Sequence, residues 1–528
     1  MTRSPLHGGG RSWAFAAFAI ALPTSLPLLV VLGALPRIDA TLWAHFLQTL
    51  LPNVIGNTLW LMLGVGLGVS LLGTALGALI ALTEFPGRRV FAWLLLLPLA
   101  MPGYVLATVV ISLFDYAGPV ASQLRQWGWT IPPIRSGGGL ALTLSLTLYP
   151  YVYLVSRNAF ASQGMHSLEA ARMLGYSPLQ AFWKVALPQA RPWIFGGTLL
   201  ALMETVADFG TASAFGISTF TTAIYRAWFA LFSIDAALQL AAALILLVTL
   251  LVVLERRSRR HARFDRYTCV HARLPLGRWR WAATAGCTLV VACAFVLPGL
   301  QLLAWTISST HWGARELALA RNSLLLGLGA SLLVVTLGAI LALAARMRRQ
   351  RAVQAAQTLA TLGYALPGPL VALGLYVPYA ACAVWLHQRF GFDGLLQGGL
   401  GLLLLAYLVR FLAVGHTPQR VQLLRLSPRV DDSLRLLGLP AWRRLLQVWL
   451  PTLTPALLSG GLLVLVDVMK EIPITLMMRP FGWDTLAVRV FELTREGEWQ
   501  RAALPSLMIV ATGLLPLILI SRRLETEP

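Results

Sequence analysis

The sequence predicts an all-α, polytopic membrane protein with about twelve transmembrane helices arranged in two six-helix repeats. Three observations carry this. Apolar residues make up 57% of the 528 residues and charged residues only 12%, against about 45–50% and about 25% in soluble domains. Uncharged apolar runs long enough to cross a bilayer, which takes about 20 residues, recur along the whole chain. Landmarks of the first half return in the second at a near-constant offset. The composition excludes a disordered chain, which is apolar-poor and charge-rich. Four Cys in this length exclude a disulfide scaffold. A net charge of +21 does not make a nucleic-acid binder, because too little hydrated surface remains to carry a basic stripe. No nucleic-acid partner is expected.

The apolar runs cover residues 12–36, 40–83, 90–114, 136–156, 236–254, 281–314, 322–345, 352–388, 394–409 and 502–521. Two further spans, near 193–214 and 456–478, are apolar but carry charges. The length of the first run, its Pro23 and Pro27, and the lack of a cleavage pattern read as an uncleaved helix, not a signal peptide. Placing both termini in the cytoplasm puts 30 of the 42 basic residues in inside segments, with a cluster in every inside loop, as the positive-inside rule requires. Seven Arg from Arg410 to Arg444 are assigned to one such loop. These loops face anionic headgroups, which makes membrane lipid a partner. Every basic residue except Lys184 and Lys470 is Arg, which reflects base composition.

The repeat divides the chain as follows: residues 1–54, a helix and outside loop; 55–254, the first repeat; 255–280, a basic cytoplasmic linker; 281–319, the seventh span and its loop; 320–521, the second repeat; 522–528, a tail. Asn57-Thr58-Leu59 matches Asn322-Ser323-Leu324, and Pro102-Gly103 matches Pro367-Gly368. The largest inside loops match best. Glu169-Ala-Ala-Arg-Met-Leu-Gly175, Val185-Ala-Leu-Pro188 and Pro192 correspond to Asp432-Ser-Leu-Arg-Leu-Leu-Gly438, Val448-Trp-Leu-Pro451 and Pro455, always 263 residues apart. Repeats running in the same direction relate by an axis along the membrane normal, with a pathway between them. Locally, Ser167 can cap a short helix. Leu168, Ala171, Leu174 and Gly175 can share one of its faces, and Gly175 permits a left-handed end or close contact. Pro178 can begin the next turn, and Pro188 is expected to break the chain before the next span.

The pattern E-A-A, three residues, G, then an apolar-Leu-Pro resembles the EAA loop of membrane subunits of binding-protein-dependent ABC importers of the type I (MetI-like) fold. With two copies, the chain looks like a fused pair of permease subunits over about 55–254 and 320–521. The second copy departs at Asp432 and at Ser433-Leu434. The resemblance implies that Glu169, Ala170, Ala171, Arg172 and Gly175, with Asp432, Arg435 and Gly438, contact an ATPase. It further implies two copies of that ABC ATPase subunit, a periplasmic substrate-binding protein, a bacterial inner-membrane location, and no cofactor on this chain, with ATP and Mg on the partner.

An ATPase site needs a P-loop ending in Gly-Lys. Lys184 follows Trp183 and Lys470 follows Met469, so the chain carries none and is not expected to be an enzyme. Leu458-Ser459-Gly460-Gly461 resembles the start of an ATPase signature but lies in an apolar span, where small residues let helices approach. Cys269, Cys287, Cys293 and Cys382 lack metal or redox spacing, no metal site is assigned, and His166 and His416 read as polar contacts. Intramembrane charge is costly and marks function by default. Glu204 and Asp208 are four apart in the fifth span. Asp467 and Glu471 repeat them, with Lys470 between. They read either as lining a cation pathway or gate, since hard cations favour carboxylates, or as helix-packing contacts. The strings Glu204-Thr-Val-Ala-Asp208-Phe-Gly-Thr211, Lys470-Glu-Ile-Pro-Ile-Thr475 and Arg479-Pro-Phe-Gly-Trp-Asp-Thr-Leu486 resemble fused ferric iron permeases. Permeases for thiamine, polyamines or phosphonates share part of them, and a twelve-helix secondary transporter is the rival class. The loops near 115–135, 215–230 and 479–500 are candidates to receive the binding protein, and Trp127, Trp129 and Trp483 are interfacial anchors or part of that surface.

Overall fold

The computed structural model describes residues 8–34, 44, 46, 48–261, 273–308, 313–347, 350–391, 399–427, 429–437 and 440–525. Eleven described helices are long and apolar enough to cross a membrane. The difference from twelve lies at the expected 193–214 span. There the helix Leu187–Ala207 stops at Asp208 and a separate turn, Gly210–Ala214, follows. Arg191, Glu204 and the break keep this segment below the apolarity of the other spans.

The chain forms two compact units that cut across the sequence repeat. The first contains residues 1–38, 237–242 and 313–488. Its axis is the 34-residue helix Ala314–Met347, flanked by Leu400–Arg425 and Leu450–Met469. The N-terminal helix Gly8–Ala34 packs here, against Ala314–Met347, Arg351–Thr361 and Gly368–Phe390. The second unit contains residues 39–236, 243–312 and 489–528. Its axis is the 32-residue helix Leu51–Leu82, packed along Gly137–Ala159 and Leu187–Ala207. Leu297–Ser308 lies against Trp499–Glu525 in the same unit. The linker returns as a two-residue parallel pairing of Leu274–Pro275 with Thr83–Glu84. Glu84 meets Arg88 at 3.3 Å and Arg273 at 3.8 Å, and Thr284 donates to the Pro86 carbonyl. Linker residues 262–272, with Cys269, and Arg348-Arg349 fall outside the described residues.

Pro188 does not break the chain. It lies in a continuous helix, directly after a π turn at Phe182–Ala186. The same device recurs at Ala292–Val296 before Leu297-Pro298 and at Leu445–Trp449 before Leu450-Pro451. In each, the Leu amide donates five residues back, to Phe182, Ala292 or Leu445. A helical proline clashes with the carbonyl four residues earlier. Here that residue is Lys184, Ala294 or Gln447, the middle of the π turn, where the widened backbone moves the carbonyl aside.

Candidate functional site

The first of the two matching loops folds as a short elbow. Its helix starts at Met165, two residues before the expected Ser167 cap, because a π turn at Phe160–Gly164 carries it on from the preceding span. Leu168 and Ala171 are buried, with Ala78, Leu82, Phe160, Ala186 and Ala190, so Ala171, named among the implied ATPase contacts, packs inward against its own helices instead of facing out. Leu174 is not buried: it turns outward at the helix end, beside Met173, which is 90% exposed. The end is a Schellman motif. Gly175, at φ 87°, donates to the Arg172 carbonyl, and Tyr176 donates to that of Ala171; a left-handed residue here favours glycine. No atom would crowd a Cβ on Gly175, so its role is the turn and not close contact. Ser177 and Gln180 then form a reciprocal capping box around Pro178. Glu169, Ala170 and Arg172 are all exposed.

The second elbow helix is Arg429–Leu436. Gly438 and the side chains of Asp432 and Arg435 (like that of His166) lie outside the described residues. Leu434 stands where the first repeat has Ala171, and it too is buried, with Ala342, Leu343, Leu423, Trp449 and Leu453. The departure from Ala-Ala is therefore a core exchange. Leu434 and Trp449 replace Ala171 and Ala186, while Leu423 replaces Phe160. Leu436, which stands where the first repeat has Met173, points outward like it and is 89% exposed.

Glu204 and Asp208 do not share a helical face. The helix ends at Ala207, and Asp208 is extended. Its carboxylate accepts from the Thr211 hydroxyl at 2.8 Å and the Ala212 amide at 2.9 Å, capping Gly210–Ala214, while Thr221 donates to its carbonyl. Glu471 likewise lies past the end of Leu450–Met469 and accepts from the Ile474 amide of Pro473–Met478 at 3.2 Å. Its other oxygen faces Arg410 at 3.6 Å, both side chains being buried. Arg410 also donates to the Leu366 carbonyl, and Tyr407, one turn earlier, shares a 2.6 Å hydrogen bond with Thr475. The Pro-Gly pairs close these nodes. A Cβ on Gly103 would meet Thr211 Oγ1 at 2.5 Å, and one on Gly368 would meet Glu471 Oε1 at 2.8 Å. Asp467 and Lys470 form a 2.8 Å ion pair.

Two corrections follow. Arg410 is not in a basic inside loop but mid-helix in Leu400–Arg425; its position in an otherwise uncharged run was the available signal. The Asn57 and Asn322 motifs, without a role from sequence, pin loops: Asn57 donates to the Ser218 carbonyl, and Asn322 to those of Gly482 and Asp484. His416 makes buried contacts with Gln357 and the Gly338 carbonyl. Gly460 lies against the Gly415 backbone, as close helix approach requires. Trp127 and Trp129 are exposed. Among the described residues no cluster of three His, Cys, Asp or Glu could hold a metal.

Residues 73–261 match the family of binding-protein-dependent transport system inner membrane components. The Fe(3+)-transport system permease protein FbpB 2 of Haemophilus influenzae is 26% identical over 521 residues, 95% of this chain and 96% of that protein. A protein of Salmonella typhimurium named as a 2-aminoethylphosphonate transport system permease, PhnV, is 30% identical over 43% of this chain and 81% of its own length. The sulfate transport system permease protein CysT of the same organism is 27% identical over 37% of this chain and 73% of its own. With multiple apolar spans and two exposed elbows, the chain belongs to the inner-membrane components of binding-protein-dependent transport systems, as a non-enzymatic, multi-pass permease of an ABC importer.

Proposed function

We propose that the chain is the permease of a ferric iron importer, with residues 55–254 and 320–521 as its two transport domains and both termini in the cytoplasm. The observation that carries the iron reading is the resemblance to an iron permease along 95% of the chain, through both repeats. Each elbow docks on one copy of the same ATPase, through Glu169, Arg172 and Gly175 in the first and Asp432, Arg435 and Gly438 in the second. The exposed Met173 and Leu436 supply apolar contact in each. ATP binding closes the two ATPases, moves both elbows, and turns the pathway from inward to outward access. A binding protein delivers the cargo to the outer loops. Glu204 and Asp467 lie in the last turns before the breaks in the two charged spans and meet the cation in transit, with Lys470 paired to Asp467, while Asp208 and Glu471 hold the breaks in shape.

The likeness to PhnV favours an organophosphonate as the second reading. The permease, with its ATPase and binding protein in proteoliposomes, decides between them. Uptake of radioactive ferric iron that survives excess 2-aminoethylphosphonate, thiamine and spermidine supports iron. Uptake of one of these in its place replaces it.

A further inference from the structure

Glu204 and Asp467 occupy equivalent positions in the last turn of their helices, which end at Ala207 and Met469. An acid there opposes the helix macrodipole. Both repeats nevertheless keep one. The repeats differ in what stands beside it. The position equivalent to Lys470 is Ala207, and the position equivalent to Arg410 is Thr147. In the second repeat Lys470 Nζ lies 2.8 Å from Asp467 Oδ1. The neighbours Val466, Val468, Met469, Glu471 and Ile472 are buried, whereas the Lys470 and Asp467 side chains are 37% and 19% exposed. An exposed pair three residues apart adds little stability, and charge facing lipid is expensive. A partly open pair inside so apolar a stretch is therefore placed to meet water or cargo. Lys470 also caps a helix at a break, so its long side chain can swing without moving the helix.

We propose that Lys470 is a tethered counter-ion: its ammonium holds the Asp467 carboxylate while the pathway is empty and gives it up to a cation in transit. This rests on the reading of the chain as a cation permease. Single carboxylates, with no metal cluster among the described residues, suit transit, because a pathway site must bind weakly enough to release. The lysine gives the carboxylate back its charge partner once the cargo has left, and so prevents cargo from lodging there.

The chain makes the test direct, since Lys184 and Lys470 are its only lysines. Lys184 sits over the Tyr176 ring of the first elbow, at 5.2 Å, and serves as internal control. The assembled permease–ATPase complex in nanodiscs is treated with a small amine-acetylating reagent, and each lysine is quantified by mass spectrometry, with and without gallium(III) citrate or spermidine. The expected result is a several-fold rise in Lys470 acetylation with a cation and no change at Lys184. Asp467→Asn raises Lys470 acetylation without any cation and removes the cation response. A response to spermidine but not gallium keeps the counter-ion and overturns the iron reading. No response to either cation, in a complex that imports iron, overturns the counter-ion and leaves the iron reading standing. Lys470 acetylation unchanged by Asp467→Asn also overturns it.

Discussion

Glu471 shows how one buried side chain can organise a turn of membrane protein. One oxygen caps the Pro473–Met478 helix, and the other faces Arg410 at 3.6 Å. Removing one partner of a buried pair leaves an uncompensated charge, at about 3–5 kcal/mol, whereas replacing both by apolar residues can be neutral. Arg410→Met and Glu471→Leu are each expected to lower the amount of folded permease recovered in detergent, as read by size-exclusion chromatography. The double variant should recover a larger fraction than Arg410→Met alone. Equal loss in all three would mean that the two side chains act independently. Asp208 needs no such cation, because Thr211 and Ala212 donate to both its oxygens. The same break is thus held by an ion pair in one repeat and by neutral donors in the other.

At the scale of the element, the elbow combines local and distant rules. Gly175 and the Ser177–Gln180 box are written in a few adjacent residues and fold as those residues dictate. The outward turn of Leu174 is also local, since a Schellman end reverses the chain. What faces inward depends on distant helices: Ala171 meets Ala78 and Leu82, and Leu434 meets Ala342 and Leu343. The exchange of Ala for Leu is therefore silent on the outer face. Met173→Glu and Leu436→Glu are expected to reduce co-purification of the ATPase to similar degrees, several-fold, with membrane abundance unchanged. Loss from one elbow alone would show that the two sides engage different partners. The π turns belong to this scale too. The sequence marks Pro188 as a break, yet one extra residue in the preceding turn absorbs its ring, as it does those of Pro298 and Pro451.

At the scale of the molecule, each unit carries its own measure of the membrane. From Asn57 to Leu82 the helix rises about 37 Å, and from Asn322 to Arg346 about 36 Å, both beyond the hydrocarbon core of about 30 Å. One end of each helix is pinned to a loop by Asn57 or Asn322. The other reaches its elbow: Leu82 packs with Leu168, and Arg346 donates to the Leu426 and Ser427 carbonyls just before Arg429–Leu436. Within the first unit, Phe481 and Leu436 should then lie on opposite faces of the bilayer. In a chain freed of Cys269, Cys287, Cys293 and Cys382, an impermeant thiol reagent should label Phe481→Cys in spheroplasts and Leu436→Cys only after permeabilisation. Labelling of both from outside would overturn the assignment of spans.

The amino-acid sequence by itself determined the membrane class, the tandem repeat, the elbows and their Gly and Pro punctuation. Hydropathy and turn chemistry act over a few residues, and a repeat is visible without any contact. It also located the intramembrane acids, but not their company. Arg410 and Glu471 are 61 positions apart, and only the packing of Leu400–Arg425 beside a broken helix shows that one answers the other. Tertiary structure likewise decided that Asp208 is a cap and that Leu434 points inward. A buried charge must find its partner wherever the fold supplies one, and the fold sets that distance in space, not along the chain.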